Sequence, residues 1–391
     1  MPTINVRRYS EPDALREFAP RVLLALLGDH REYLGGKGVT LPPTGDGAEV
    51  DLPTLAKVFA SPGDMPPKLA ERFDLVGHMT GKNPMDEIVE TVARWKLPIT
   101  FAPDFSPADV AAHLFLQNEA LFRELYAENA VKKVRAFTSF VTEKKAAGFK
   151  VPVDFSGLEG SLNDWYEKHR RGRTARVFCR QDGKQFWFFV RHAEPVKREG
   201  CVDMTDHQSK SMIYHPEKHD LVVYDSEFGE LRIHADCKKE PELFRLEFGR
   251  HLFNDRDFFP LGREKYTLEP LRKAGKAALG CGGIEGMRNV TLKELQFLSG
   301  VGAPWHRETH AADDLFDVLA IPDGVRLLQA KFLVRFSDNT RPRTVTIRPS
   351  NYALYGRDDD AVLVEKWLAL GKFIVTGEAT EEDEDGTVEV S

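Results

Sequence analysis

The chain has 391 residues, 42% hydrophobic and 29% charged, with a formal net charge of −7. That length suits a sizeable core and two or three domains of ~100 to 200 residues each. Four cysteines, Cys179, Cys201, Cys237 and Cys281, form no C-x-x-C pair and no zinc-ligand spacing, so a reducing, cytoplasmic setting with no structural metal is expected.

The opening MPTINVRRYSEPDALREF lacks a signal-peptide core and no run of ~18 apolar residues occurs, so neither secretion nor a membrane partner is expected. The charge is localised. From Glu378 to Glu389 the tail carries seven acidic side chains and no basic one, which accounts for the whole net charge. A balanced body argues against a protein that coats nucleic acid indiscriminately, because that affinity comes from Lys and Arg neutralising phosphates. The tail, 378–391, reads as disordered, with little apolar surface to offset chain entropy.

In chain order, residues 1–150 read as a helical domain with long loops. Ser106-Pro107-Ala108-Asp109 is a helix start, with Ser as cap, Pro at the first helical position and Asp meeting the positive helix end. Val110, Leu114, Leu121, Phe122 and Leu125 follow at helical spacing. A second helix is predicted from Asp86 to Lys96, with Ile88, Val89, Val92 and Trp95 on one stripe before Pro98. Residues 151–285 read as a β-rich α+β domain. There, Val177–Gln181 and Phe186–Val190 flank an Asp182-Gly183 turn, and the second run is apolar on both faces. A second hairpin is predicted from Leu221–Tyr224 and Glu230–His234, then a helix from Glu242 to Phe253. Residues 286–377 read as a meander of Val318–Ile321, Val325–Phe336 and Arg343–Arg348, closed by a helix from Asp358 to Leu370. The expected class is α+β: a helical N-terminal domain, a β-rich middle with hairpins, and a C-terminal three-strand meander closed by a helix.

Several constellations carry candidate chemistry. Phe188-Phe189-Val190-Arg191-His192-Ala193-Glu194 is an apolar strand that delivers Arg-His at its end. Locally it resembles the histidine phosphatase family, and the resemblance implies His192 as a phosphoryl-accepting nucleophile with Arg191 holding the oxygens. Asp317 with Gln329-Ala330-Lys331 is spaced like the metal-binding Asp and Gln-x-Lys of some restriction-type nucleases. That likeness implies Mg²⁺ on Asp317 and Gln329, with Lys331 near the attacked phosphate. His192, His207, His215, His219 and His234 cluster in sequence alongside Asp220, Asp225 and Asp236, and imidazoles with carboxylates can bind zinc or iron, but Pro216 interrupts the one helical pair, and His306-x-Glu308-x-His310 is not the zinc-protease order. Gly77 to Lys82 and Gly280 to Gly286 each miss a phosphate-loop spacing by one residue and read as turns.

Basic residues point instead to nucleic acid. The segment 168–176 carries Lys168, Arg170, Arg171, Arg173 and Arg176, and the outward positions of the predicted meander carry Lys331, Arg335, Arg343 and Arg348, with Arg341 beside them. With no complete catalytic constellation, the expectation is a non-catalytic interaction or regulatory component with no cofactor. It would have a protein partner, within a microbial multi-protein system acting on nucleic acid. The alternative is a phosphoryl-transfer or phosphodiester hydrolase built on Arg191 and His192, or on Asp317, Gln329 and Lys331.

Overall fold

The computed structural model describes residues 4–43, 50–132, 134–144, 149–203, 207–300, 306–337, 341–349, 351–356 and 361–375. The predicted cap Asp358 and the acidic tail 378–391 lie outside them. The class is α+β, and no helix among the described residues is long and apolar enough to cross a membrane. The chain divides into two units, Met1–Lys132 with Glu199–Met212, and Lys133–Arg198 with Ile213–Ser391.

The first unit is helical: α1 (Pro12–Leu15), α2 (Pro20–Leu27), α3 (Arg31–Gly36), α4 (Leu52–Ala60), α5 (Pro67–His78), α6 (Lys82–Arg94), α7 (Pro107–Gln117) and α8 (Glu119–Lys132). Tyr9, Phe18, Phe59 and Phe73 cluster in its core, with the Phe59 and Phe73 rings 4.7 Å apart. Ser106 and Asp109 close a full capping box on α7, and Asp109 also accepts the Ala19 N–H at 2.7 Å, tying α7 to the start of α2. On α6 the predicted stripe is only half buried: Ile88 and Val92 point inward, whereas Val89 and Trp95 are exposed.

The second part of the chain is strand-rich: β1 (Ala136–Val141), α9 (Ser156–Lys168), β2 (Arg176–Asp182), β3 (Gln185–Ala193), β4 (Lys197–Val202), β5 (Ser209–Tyr214), β6 (Glu217–Asp225), β7 (Glu230–His234) and α10 (Glu240–Phe253). There follow α11 (Glu269–Lys273), β8 (Met287–Ser299), β9 (His306–Ala311), β10 (Arg326–Phe336), β11 (Arg343–Arg348), β12 (Tyr352–Leu354) and α12 (Ala361–Leu370). Strands β4 and β5, which straddle the division between units, form a separate two-stranded ribbon. The other ten make one antiparallel sheet in the order β2-β3-β6-β7-β1-β12-β11-β10-β8-β9. Two of the three predicted meander strands are present, as β10 and β11, and the strand that continues from β11 is β12. The predicted strand Val318–Ile321 is not one: it follows a short 3₁₀ turn, leads into Pro322 and leaves Val318 exposed.

Pairing fixes which side chains share a face, because directly opposed residues in neighbouring strands point the same way. Phe188 opposes Val222, Val222 opposes Ile233, Ile233 opposes Thr138, Thr138 opposes Tyr352, and Tyr352 opposes Arg348. The first part of this row is apolar and covered by α9 and α10, with Phe188 and Phe248 rings 5.2 Å apart. Past β1 the same face turns polar. Here the core lies on the reverse side, where Ala353, Ile347, Ala330 and Phe332 pack under α12, with Phe332 and Trp367 rings 5.1 Å apart. The two helical layers therefore sit on opposite faces of one sheet, and each half is an antiparallel sheet with one buried face of its own.

Candidate functional sites: a buried ion network and an open polar sheet face

His192 is fully enclosed. It ends the apolar run of β3 on the face beneath α9, with its ring stacked on Tyr166 at 4.3 Å. Its Nε2 lies 2.9 Å from Asp220 Oδ2 and its Nδ1 lies 3.1 Å from the Ala193 carbonyl oxygen. Each ring nitrogen thus has an oxygen within hydrogen-bond distance, and the enclosed ring presents neither of them to a substrate. Around it, Lys218 Nζ stands 3.2 Å from Asp220 Oδ1, 3.6 Å from Glu240 Oε2 and 3.4 Å from Asp236 Oδ2. Arg171 pairs with Glu240, which begins α10 and also accepts the Cys237 N–H at 3.1 Å. The turn that brings Arg171 inward uses left-handed backbone at Arg170 (φ 61°) and Gly172 (φ 75°).

Burial works against the charge on Lys218, but the Asp220, Glu240 and Asp236 carboxylates outweigh it and hold the ammonium above its ordinary pKa. Burial likewise opposes the charge on Arg171, and Glu240 reverses that effect. The Tyr166 hydroxyl is pushed up, first by burial and then by the Asp220 and Glu240 charges. His192, Asp220 and Glu240 offer atoms within 4.8 Å of one another, the spacing of a metal site. The set does not suit a divalent cation, however, because an ammonium and a guanidinium already occupy the carboxylate oxygens and would repel it.

The sequence-predicted nuclease residues are split. Asp317 is exposed and pairs with Lys276 at 3.0 Å. Gln329 and Lys331 lie on β10, where their carboxylate partner is Glu294 of β8: Lys331 Nζ is 3.0 Å from Glu294 Oε2, and Gln329 Nε2 donates to Glu294 Oε1 at 3.2 Å. The Lys331 hydrogen bond holds the Glu294 carboxyl below its ordinary range, against a smaller opposing effect of burial. Gln296 also donates to Glu294. From β11, Arg348 Nε donates to Gln329 Oε1 at 2.6 Å, and its guanidinium carbon lies 4.6 Å from the centroid of the Tyr352 ring on β12. A hydrogen-bonded row thus crosses β8, β10 and β11 on the polar face, ending in an exposed Arg seated on an aromatic ring of β12.

The remaining basic candidates differ in how far they are engaged. Arg335 is exposed on the same alternation as Lys331, whereas Arg343 lies 5.3 Å from the Phe336 ring. Within 168–176, Arg171 belongs to the buried network, Arg173 binds Asp164 and Glu167 at 2.6 and 2.9 Å, and Arg176 reaches Glu159 at 3.3 Å. Lys168 and Arg170 are exposed. Arg191 is half-buried, with its guanidinium 5.8 Å from the Phe178 ring.

Sequence reasoning found His192, Asp220, Gln329, Lys331 and Arg348 but not Lys218, Glu240, Glu294 or Tyr352. Asp220 directly precedes the apolar run Leu221-Val222-Val223-Tyr224 at an inward position, where a carboxylate needs a partner. No protein-family model matches the chain, and no curated protein matches it.

Proposed function

We propose that this protein is an interaction component that binds single-stranded nucleic acid along the polar face of β8, β10, β11 and β12. The observation that carries the reading is Arg348, fixed by Gln329 and seated 4.6 Å over Tyr352 on the face opposite the one packed by α12. The terminal nitrogens of a guanidinium so held suit two phosphate oxygens, and the Tyr ring beside it suits a base; single strands are held by this combination of positive charge and aromatic stacking. Lys331 is already neutralised by Glu294. The face therefore carries few free cations, in keeping with an electrostatically balanced body and with modest, locally directed affinity.

Binding is favoured over phosphoryl transfer, because the enclosed ring of His192 has both nitrogens engaged. The same reading puts the protein beside a protein partner and, in keeping with its four free cysteines, in the cytoplasm.

Fluorescence anisotropy with a labelled single-stranded oligonucleotide over a salt series tests the reading. Two or three phosphate contacts predict a slope of log K against log salt near about −2. Arg348→Ala should weaken binding by ~10-fold or more and flatten the slope, while Arg173→Ala, which removes an internally paired cation, should leave both unchanged. Equal loss in the two variants, or no binding by the wild type at low salt, would overturn the reading.

A further inference from the structure

The helices over the first half of the sheet bring together a serine, a histidine and a glutamate that the nucleic-acid reading does not use. Ser161, in the middle of α9, and His251, near the end of α10, are joined by a hydrogen bond of 2.8 Å between Oγ and Nε2. Gly157 lies one turn before Ser161 on the same helix face and makes room for the imidazole: a Cβ there would stand 3.3 Å from His251 Nδ1. Glu247, one turn before His251, sets its Oε2 3.7 Å from the same Nε2. That oxygen is buried, accepts no hydrogen bond among the described residues, and belongs to a side chain only 10% exposed. Arg250 and Arg256 lie 3.9 Å from the Glu247 carboxylate.

A plain helix-to-helix contact would require only the Ser–His hydrogen bond. The orphaned Glu247 oxygen adds a different element, since its negative charge 3.7 Å from Nε2 favours the protonated ring. It therefore stabilises the state reached after the serine proton has moved more than the resting state, which is the condition for accelerating a reaction. Burial lowers the His251 pKa, outweighing the opposing effect of Glu247, and so favours the neutral ring that a general base requires. The exposed Gly157 leaves an approach to Ser161, and its N–H, in the first turn of α9, has no intrahelical carbonyl to bond.

We propose that Ser161 is a nucleophile towards small activated acyl esters, with His251 as its general base and Glu247 stabilising the imidazolium. Ser161 Oγ bonds to the ester carbonyl carbon while its proton passes to His251 Nε2. The tetrahedral intermediate then breaks its bond to the alcohol oxygen, which leaves with the proton from Nε2. Water attacks the acyl-serine by the same route; its proton passes through Nε2 to Ser161 Oγ, and the carboxylic acid departs. No group is oxidised or reduced. No side chain of the nucleic-acid face takes part in these steps.

The test incubates the full chain with p-nitrophenyl acetate and, separately, with an alkyl fluorophosphonate, followed by intact-mass measurement and peptide mapping. One adduct on Ser161 is expected, absent in Ser161→Ala. It should form at least ~100-fold more slowly in His251→Gln, whose thermal midpoint is measured in parallel. The proposal is overturned if folded wild type forms no adduct, if the adduct maps elsewhere, or if a folded His251→Gln variant labels at the wild-type rate. Should His251→Gln fail to fold, the wild-type adduct map alone decides.

Discussion

At the scale of single residues, the second unit depends on charges held out of water by one another. Glu230 illustrates the energetics. Burial alone would raise its pKa, yet Lys265, at 2.5 Å, and Arg232 hold it down to about 2 from 4.5. A depressed folded-state pKa contributes stability that is fully present above the unfolded value and is lost as pH falls towards the folded one. The window is therefore pH 4.5 down to about 2, and the contribution lost across it is of order 3 kcal/mol. Urea titrations over this range should show that loss in the wild type and a flatter profile in Glu230→Gln, which begins from a lower stability at pH 7. Parallel profiles would remove Glu230 from the account. Such partnerships are poorly legible in sequence: His192 stood out from its strand, but Asp220 lies 28 residues on and Glu240 arrives from the start of a helix. Alternation assigns each residue a face; it does not say which carboxylate will occupy it.

At the scale of elements, local chemistry was the readable part. The Ser106 cap and the Asp182-Gly183 turn, with φ 56° at Gly183, formed as their residues require. The predicted helix through Leu125 breaks at Asn118, whose side chain caps a new helix by accepting the Leu121 N–H. The 13 residues of β8 were not readable as a strand, because a bulge around Lys293 shifts the alternation from Val290 and Leu292 to Leu295 and Phe297. Element ends also carry tight packing. Gly249, in the last turns of α10, lies against the chain as it leaves Asn254 (φ 54°), and a Cβ would stand 2.7 Å from the Asp255 carbonyl oxygen. Gly249→Ala should cost ~1–3 kcal/mol in thermal or chemical unfolding, since the neighbour is backbone and cannot rotate away. A neutral effect would mean that the α10 terminus readily shifts.

At the scale of the whole second unit, the organising fact is a change of side. Strand β1 pairs with β7 on one flank and β12 on the other, so one sheet runs through residues predicted as three domains, divided at 150 and 285. The α+β class was legible because strand and helix periods differ. The joining of the parts was not, because pairing between residues such as Phe137 and Ala353 leaves no local signal. Since α9 and α10 cover one face and α12 packs on the other, the polar face of the second half, which carries Glu294, Gln329, Arg348 and Tyr352, lies opposite α12. The central claim is that single-stranded nucleic acid occupies this face. Ultraviolet cross-linking of the full chain to a single-stranded oligonucleotide, with the joined peptides identified by mass spectrometry, tests it most directly. The account predicts cross-links on the peptide containing Tyr352, lost when Arg348→Ala removes the neighbouring guanidinium. Cross-links confined to residues 168–176, or none under conditions of saturated binding, would contradict it.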